Sequence, residues 1–320
     1  MNSIKSLIKK IPILFHFLKI LQDRRYLYHY LQGFLSNKKY RSIFSKAESK
    51  LFFKKNDANF EPIPLSNEMK ELTDNGLIDN PIIISKDVAN EIKDFLHTKL
   101  MHDPESNNTK DFLFEEKPEK IKRGFYKCED VVRSPHVLDI ANDPKLLSIA
   151  YNYFGAIPTI DYIGSWWSFP STDLALTQSY HRDIDTLNSL KFFVYLTEVD
   201  SDSGPHMYVN GSHESQFRTS KDKMHGDIDI ISEYGNDNVT EQKGLAGYTF
   251  IADTFGFHKG LPPRANNRLV LQIIYTLKRT PFSPKKPFID EDKASSLCTN
   301  SYSSYINRHI IRAQLKTGNK

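Results

Sequence analysis

The second half of the chain alternates between short β-forming runs and turn-forming residues. Many short strands at fairly even spacing predict an antiparallel sandwich or barrel. The intervals between the runs are too short for crossover helices, which disfavours a doubly wound parallel sheet. Five runs rich in β-branched and aromatic residues follow one another from residue 157, separated by Pro, Gly, Asp and Asn: IPTIDYIGSWWSF, SLKFFVYLTEV, HMYVNGS, GYTFIAD and RLVLQIIYTLKR.

Helices are predicted on both sides of this β region. One follows the capping residue Ser85, and another follows Asp143 and ends at Gly155. The tail sequence SSYINRHIIRAQLK predicts a closing helix. The predicted fold is therefore mainly β with flanking helices.

Residues 1–55 carry the excess positive charge. They contain 13 Lys and Arg against 2 acidic residues, a balance of +11, whereas the whole chain of 320 residues carries only +4. A basic arm on a mildly acidic body predicts an anionic partner for the arm. We therefore predict a separable, basic helical arm over residues 1–55. The domain covers residues 56–320, with its core at about 140–280.

The first segment, residues 1–21, is too interrupted by charge to span a bilayer. Its apolar residues fall on one helical face among lysines, so two interpretations stay open: peripheral contact with an anionic membrane, or a helix that packs on the body. The low total charge argues against a nucleic-acid partner. Cys128 and Cys298 fit no metal spacing, and two unlinked cysteines suit a reducing, cytoplasmic location.

A histidine and an aspartate lie two residues apart in the segment that begins at Gln178. In a strand, residues i and i+2 point to the same face, so His181 and Asp183 would stand side by side, ready to share one metal ion. A pair of this kind is common by chance, and it gains weight only from other residues.

A second histidine, His258, follows a predicted strand and lies in a glycine-flanked turn that would project it inward. It comes 75 residues after Asp183, and Arg268 follows it by ten residues at the start of the clearest strand pattern in the chain. Two histidines and one carboxylate on one face leave three open positions on an octahedral metal, as in non-haem iron oxygenases. A guanidinium suits the far carboxylate of a dicarboxylate co-substrate such as 2-oxoglutarate.

Three stretches resemble the phytanoyl-CoA dioxygenase family of iron(II)- and 2-oxoglutarate-dependent oxygenases. They are HRD at 181–183, DSGPHMYVNGSHES at 202–215, and GYTFIADTFGFHKG through RLVLQIIY at 247–275. The resemblance covers roughly residues 140–280 and implies a double-stranded β-helix, the jelly-roll or cupin-like fold. It also implies that His181, Asp183 and His258 bind Fe(II) and that Arg268 binds 2-oxoglutarate.

The chain departs from the family pattern beside the distal histidine. Many members have Ser or Thr two residues after it, whereas this chain has Gly260, and Arg264 is a second candidate for the carboxylate. Gln178 is a further candidate contact of the co-substrate. Relatives that halogenate lack the carboxylate ligand, so Asp183 favours hydroxylation or a related oxidation.

Other polar residues near these motifs have simpler interpretations. We expect His213 to be a structural or rim residue. His206 could face the pocket, but a hydrogen-bonded core role is favoured. Asp185 continues the spacing of two and is an alternative ligand to Asp183. The basic run that contains Arg123 is expected to face solvent.

The sequence therefore predicts an oxygenase that hydroxylates a small-molecule, lipid or glycan-intermediate substrate. A non-catalytic jelly-roll binding module is the alternative, and a membrane-associated adaptor centred on the basic arm is another. Turnover of 2-oxoglutarate with iron under air distinguishes the enzyme from both.

Overall fold

The computed structural model describes residues 12–27, 38–53, 60–106, 109–171, 179–184, 186–215, 224–290 and 301–312. The α-helices are α1 (Pro12–Gln22), α2 (Lys38–Phe53), α3 (Ser66–Asn75), α4 (Lys86–His97), α5 (Cys128–Val132), α6 (Val137–Ala141), α7 (Pro144–Phe154), α8 (Asp227–Tyr234) and α9 (Ser301–Asn307). The strands are β1 (Leu77–Asp79), β2 (Met101–His102), β3 (Arg123–Tyr126), β4 (Thr159–Ser168), β5 (Leu190–Tyr195), β6 (His206–Val209), β7 (Val239–Gln242), β8 (Thr249–Ala252), β9 (His258–Gly260), β10 (Arg268–Thr276), β11 (Ile289–Asp290) and β12 (Ile311–Arg312).

Two antiparallel sheets form the core. The larger sheet has the order β1-β8-β5-β10-β4-β3-β2, and the smaller has the order β7-β6-β9. An antiparallel bridge from His181 to His258 adds a further segment beside β9. From β4 to β10 the chain therefore passes repeatedly between the two sheets, which confirms the predicted double-stranded β-helix. The sequence pattern missed β7 and the short strand β9 that His258 begins.

Strand β10 shows how the sequence builds this core. It pairs with β4 and β5 on its two sides, so its backbone is satisfied on both edges. Alternate side chains then serve different layers, as the period of two requires. Leu269, Leu271 and Ile273 join the apolar cluster of the helical layer, whereas Arg268 and Val270 line the space between the sheets.

The capping signals on the two central helices are confirmed. The Ser85 hydroxyl accepts a hydrogen bond from the Val88 N–H at 3.2 Å at the start of α4. The Asp143 carboxylate accepts from the Lys145 and Leu146 N–H groups at the start of α7. Gly155, at φ 65°, ends α7 in the left-handed conformation that glycine adopts without strain.

The predicted closing helix is only partly correct. Helix α9 ends at Asn307, whose buried side-chain amide bonds the Asn142 side chain of the body. The chain then turns, and Ile311 pairs with Ile289 in a parallel two-stranded sheet. Ile306, Ile310 and Ile311 are all buried, and their spacing fits a helix as well as the observed turn and strand.

Helix α2 docks on the body through its polar side. Glu48 forms a buried ion pair with Lys278, and the Ser45 hydroxyl donates to the Asn188 side chain at 2.9 Å. The Ser49 hydroxyl donates to the Phe154 carbonyl at 2.5 Å. The opposite side of α2 exposes a stripe of apolar residues at helical spacing: Tyr40, Ile43, Phe44 and Leu51. The contacts of Glu48, Ser45 and Ser49 attach α2 to the body, and the separable arm of residues 1–55 stays a prediction.

A contact with the body follows helix α1. The Arg25 guanidinium, just after the helix, donates to the Ser283 carbonyl at 3.0 Å, while Phe17 and Leu21 are exposed. Within the described residues, no helix has both the length and the apolar character needed to cross a membrane. Residues 1–11 of the predicted amphipathic segment lie outside the described ranges.

Candidate active site

The structure brings His181, Asp183 and His258 together between the two sheets. Their ligand atoms all lie within 4.8 Å of one another. The Asp183 carboxylate is 3.8 Å from His181 Nε2 and 3.3 Å from His258 Nε2. Metal–ligand bonds of about 2.0–2.1 Å at right angles place neighbouring ligand atoms about 3 Å apart, so this spacing suits one metal ion.

Backbone pairing sets this convergence. His181 and His258 exchange N–H···O bonds of 3.0 and 3.1 Å as neighbours in the smaller sheet. The chain leaves the strand after His181, and the Asp183 N–H donates to the Thr254 carbonyl at 2.8 Å. Asp183 is therefore held by the segment that leads into His258, and not by a continuing strand.

Both imidazoles turn the same nitrogen toward the metal position. Nδ1 of His181 lies 2.9 Å from the Ser179 carbonyl, and Nδ1 of His258 lies 2.9 Å from the Gly256 carbonyl. A carbonyl accepts only from N–H, so Nδ1 carries the proton and Nε2 keeps a lone pair for a metal. Burial, aided by the neighbouring His258, lowers the pKa of His181 to about 4. This imidazole is therefore neutral near pH 7, as a metal ligand must be.

A buried lysine contacts the carboxylate of this group. Lys191 Nζ lies 2.6 Å from Asp183 Oδ2, and the lysine side chain is only 7% exposed. Removal from solvent by itself raises the pKa of the Asp183 carboxyl, but the Lys191 ammonium outweighs it and holds that pKa well below its usual range. The sequence analysis missed Lys191, although a lysine inside the apolar run SLKFFVYLTEV was a visible signal.

Arg268 points into the same space with unused hydrogen-bonding capacity. It is 5% exposed, and its Nη2 donates to the Ser168 hydroxyl at 3.3 Å. Its Nε and Nη1 have no hydrogen-bond partner within the part of the chain that the structure describes. A buried guanidinium in this state is a site for an anion. A Cβ at Gly260 would lie 3.2 Å from Arg268 Nη2, so the glycine keeps this space open.

The remaining candidate residues have different outcomes. Arg264 is exposed and lies outside this cavity. Gln178 and Asp185 lie outside the described residues. His213 is structural, as expected, with Nε2 3.2 Å from the Thr73 carbonyl.

Two expectations were wrong in the same direction. His206 lines the cavity with its ring stacked on that of His258 at 5.4 Å between centroids, and its Nε2 has no hydrogen-bond partner among the described residues. Arg123 also lines the cavity, although its guanidinium pairs with Glu105 at 3.0 Å. Both residues lie on strands, and their side chains point into the space between the two sheets. A polar side chain in that position is buried and can still contact a ligand.

The cavity has a volume of about 220 Å³. Its polar groups include the histidine–aspartate cluster (His181, Asp183 and His258), Lys191, Arg268, His206 and Arg123, and they lie among apolar walls, as is common in ligand pockets. The walls are mainly aromatic: Phe125, Trp166, Phe193, Tyr195 and Phe250.

Arg182 joins the two segments that carry the ligands. Its guanidinium donates to the Phe255 carbonyl at 2.6 Å and lies 4.0 Å from the Phe257 ring centroid. Since Arg182 lies between His181 and Asp183, and Phe257 directly precedes His258, this contact ties the ligand-bearing segments to each other.

No family model matches this sequence, and no curated protein matches it. Among solved structures, the fold is similar to HygX from Streptomyces hygroscopicus with nickel, 2-oxoglutarate and hygromycin B bound (14% identity, 69% of this chain and 89% of that chain, TM-score 0.49). It is also similar to EctD from S. alaskensis with 2-oxoglutarate and 5-hydroxyectoine (18% identity, 70% and 80%, TM-score 0.47). A third similar structure is the non-haem alpha-ketoglutarate-dependent carbocyclase SnoK from nogalamycin biosynthesis (14% identity, 67% and 86%, TM-score 0.47). At these identities and TM-scores, we base the function on the residues of the site.

Proposed function

We propose that this chain is an Fe(II)- and 2-oxoglutarate-dependent oxygenase that hydroxylates a small-molecule substrate. The observation that carries the proposal is the cluster of two imidazoles and one carboxylate, which occupies one face of a metal and leaves three positions open. A buried guanidinium with open donors lies in the same cavity. A binding module that had lost catalysis would have no need for both features.

The ligand set fits iron, and each residue has a defined task. His181, Asp183 and His258 hold the metal through two Nε2 atoms and a carboxylate oxygen. Arg268 binds the far carboxylate of 2-oxoglutarate, and we propose that Gln178 contacts the same molecule. The bound iron and 2-oxoglutarate together supply the oxidising chemistry with dioxygen. The chain orients the substrate and keeps water out through the aromatic walls around Phe193 and Trp166.

Succinate formation under air tests this proposal. We expect the wild-type protein with Fe(II) to convert 2-oxoglutarate to succinate, and H181A and D183A to lose that conversion. R264A is the matched control because Arg264 is an exposed arginine outside the cavity. Equal succinate formation by wild type and H181A would remove the assignment.

The proposed substrate is a lipid or glycan intermediate, encountered from the cytoplasm at a membrane surface. The wall of the cavity is aromatic, which suits an apolar or ring-shaped group. The positive balance of residues 1–55 suits an anionic surface. A screen of cell extracts for a metabolite that gains one oxygen only with Fe(II) and 2-oxoglutarate identifies the substrate.

Peripheral membrane contact is a second proposal, and the exposed side of α2 favours it. The apolar stripe of Tyr40, Ile43, Phe44 and Leu51 points away from the body, and the exposed lysines Lys46 and Lys50 lie beside it. An apolar stripe with basic flanks suits shallow insertion into an anionic bilayer. Residues 1–21 are proposed to take part in this contact. Co-sedimentation with anionic and with neutral vesicles tests it, and equal binding to both would contradict it.

A further inference from the structure

Lys191 adds a positive charge that the proposed iron site does not need. The formal charges of that site already sum to zero. They come from a divalent metal, the Asp183 carboxylate, the two carboxylates of 2-oxoglutarate and the Arg268 guanidinium. Lys191 lies on β5, opposite Ala252 of β8 and Ile274 of β10. A buried ammonium costs free energy unless it is paired, so its position beside a metal ligand calls for an explanation.

The contact distinguishes the two oxygens of Asp183. Lys191 Nζ lies 2.6 Å from Oδ2, so an N–H group of the ammonium occupies a lone pair of that oxygen. Oδ1 faces His181 Nε2 at 3.8 Å. Oδ2 also lies 3.3 Å from His258 Nε2, so the lysine and a metal would meet at this oxygen, whereas Oδ1 is the oxygen without a lysine contact among the described residues. Groups that hydrogen-bond a ligating carboxylate fix its orientation in this way.

We propose that Lys191 is a positioning residue that holds Asp183 as a one-oxygen ligand and limits the affinity of the site for divalent metals. The inference rests on the proposed function only in requiring that the histidine–aspartate cluster bind a metal. The Lys191 ammonium and the metal both contact the Asp183 carboxylate. Two positive charges held that close together repel each other in a partly buried site. Without the lysine, Asp183 is free to bind through both oxygens, and its charge is left for the metal alone.

Titration of the full-length protein with Co(II) tests the proposal. We expect K191M to bind Co(II) at least about tenfold more tightly than wild type, and K191R to lie near wild type. The visible absorption of bound Co(II), which reports the number and symmetry of its ligands, should change in K191M and return in K191R. If K191M does not fold, K191Q provides the same loss of charge.

Lys259 is the matched control. It is also buried, and it directly follows His258, but it pairs with Asp227 on the outer side of the smaller sheet. K259M should therefore leave both the Co(II) affinity and the absorption unchanged. A K191M dissociation constant within about twofold of wild type, with an unchanged spectrum, would overturn the role of Lys191.

Failure of the inference and failure of the proposed function are distinguishable in the same titration. If wild type binds Co(II) and H181A does not, the metal centre stands whatever K191M shows. If wild type itself binds no Co(II), both the metal centre and the role of Lys191 fall.

Discussion

The β core and helix α2 bury polar groups in opposite patterns. In the core, β10 turns Leu269 and Leu271 to the helical layer and leaves few polar side chains, Arg268 among them, facing the cavity. Helix α2 does the reverse, since Glu48 and Ser45 face the body while its apolar stripe faces outward. A charged side chain that is buried on an otherwise apolar strand indicates a functional site. A polar docking face on a helix leaves the apolar face for another contact.

The largest effect is expected at Arg268, the buried positive charge of the core. We expect R268A to weaken 2-oxoglutarate binding by more than about 100-fold, because a buried carboxylate loses its charge-assisted hydrogen bonds. Metal affinity should stay the same, since Arg268 is not part of the ligand cluster. Calorimetric titration of the metal-loaded protein measures both, with R264A as the control. An unchanged affinity for 2-oxoglutarate would mean that Arg268 has only a structural role. The core and α2 would then not differ in the way described above.

Under α2, the expected effect is on stability. E48A removes the carboxylate that pairs with the buried Lys278 ammonium, which we expect to cost roughly 3 kcal/mol in the free energy of unfolding. The double variant E48M/K278M replaces both charges by apolar groups and should recover most of this loss. Urea unfolding measures the three proteins. A negligible change in E48A would mean that α2 is loosely attached, as the predicted separable arm of residues 1–55 requires.

The same ion pair predicts a pH dependence. Burial lowers the pKa of Lys278 to about 8, although Glu48 opposes the shift. In the unfolded chain this lysine keeps its proton up to about pH 10.4, so stability rises with pH between the two values. From about pH 7.5 to about pH 9.5, we expect wild type to gain on the order of 2 kcal/mol relative to K278M. A constant difference between the two proteins over this range would contradict the buried ammonium.

The smallest effect on stability is expected on the outer side of α2. The variant I43S/F44S/L51S should change the free energy of unfolding by less than about 0.5 kcal/mol for each substitution, because these side chains are exposed. Its binding to anionic vesicles should fall several-fold. Ile83 and Ile228 are even more exposed elsewhere, so I83S/I228S is the control. A loss of stability without loss of vesicle binding would show that the stripe packs on protein.

Local patterns predicted the fold and the pairing of His181 with Asp183, whereas His258 joined them through its place on the β core and the resemblance to the oxygenase family. Alternation in RLVLQIIY and the caps at Ser85 and Asp143 are properties of neighbouring residues, and the structure confirms them. The spacing of His181 and Asp183, with one distal histidine, placed three side chains that do converge.

The missed residues depend on partners that are distant in the chain. A strand that is buried on both faces has no sequence pattern that distinguishes the face bordering a cavity. The sequence therefore did not show that His206 and Lys191 line the cavity. Helix α2 docks through the face that carries Glu48 because Glu48 pairs with Lys278, which lies 230 residues away in the sequence. No local periodicity contains that contact, and the apolar stripe alone would have predicted the opposite face.

The central claim is that the histidine–aspartate cluster holds Fe(II) and that the iron binds 2-oxoglutarate beside Arg268. Anaerobic addition of Fe(II) and then 2-oxoglutarate tests it most directly, because chelation of Fe(II) by a 2-oxo acid gives a visible charge-transfer absorption. We predict that wild type develops this absorption only when both are present, that H258A develops none, and that R268A needs far more 2-oxoglutarate to reach it. An absorption in H258A equal to that of wild type, or none in iron-loaded wild type, would contradict the account.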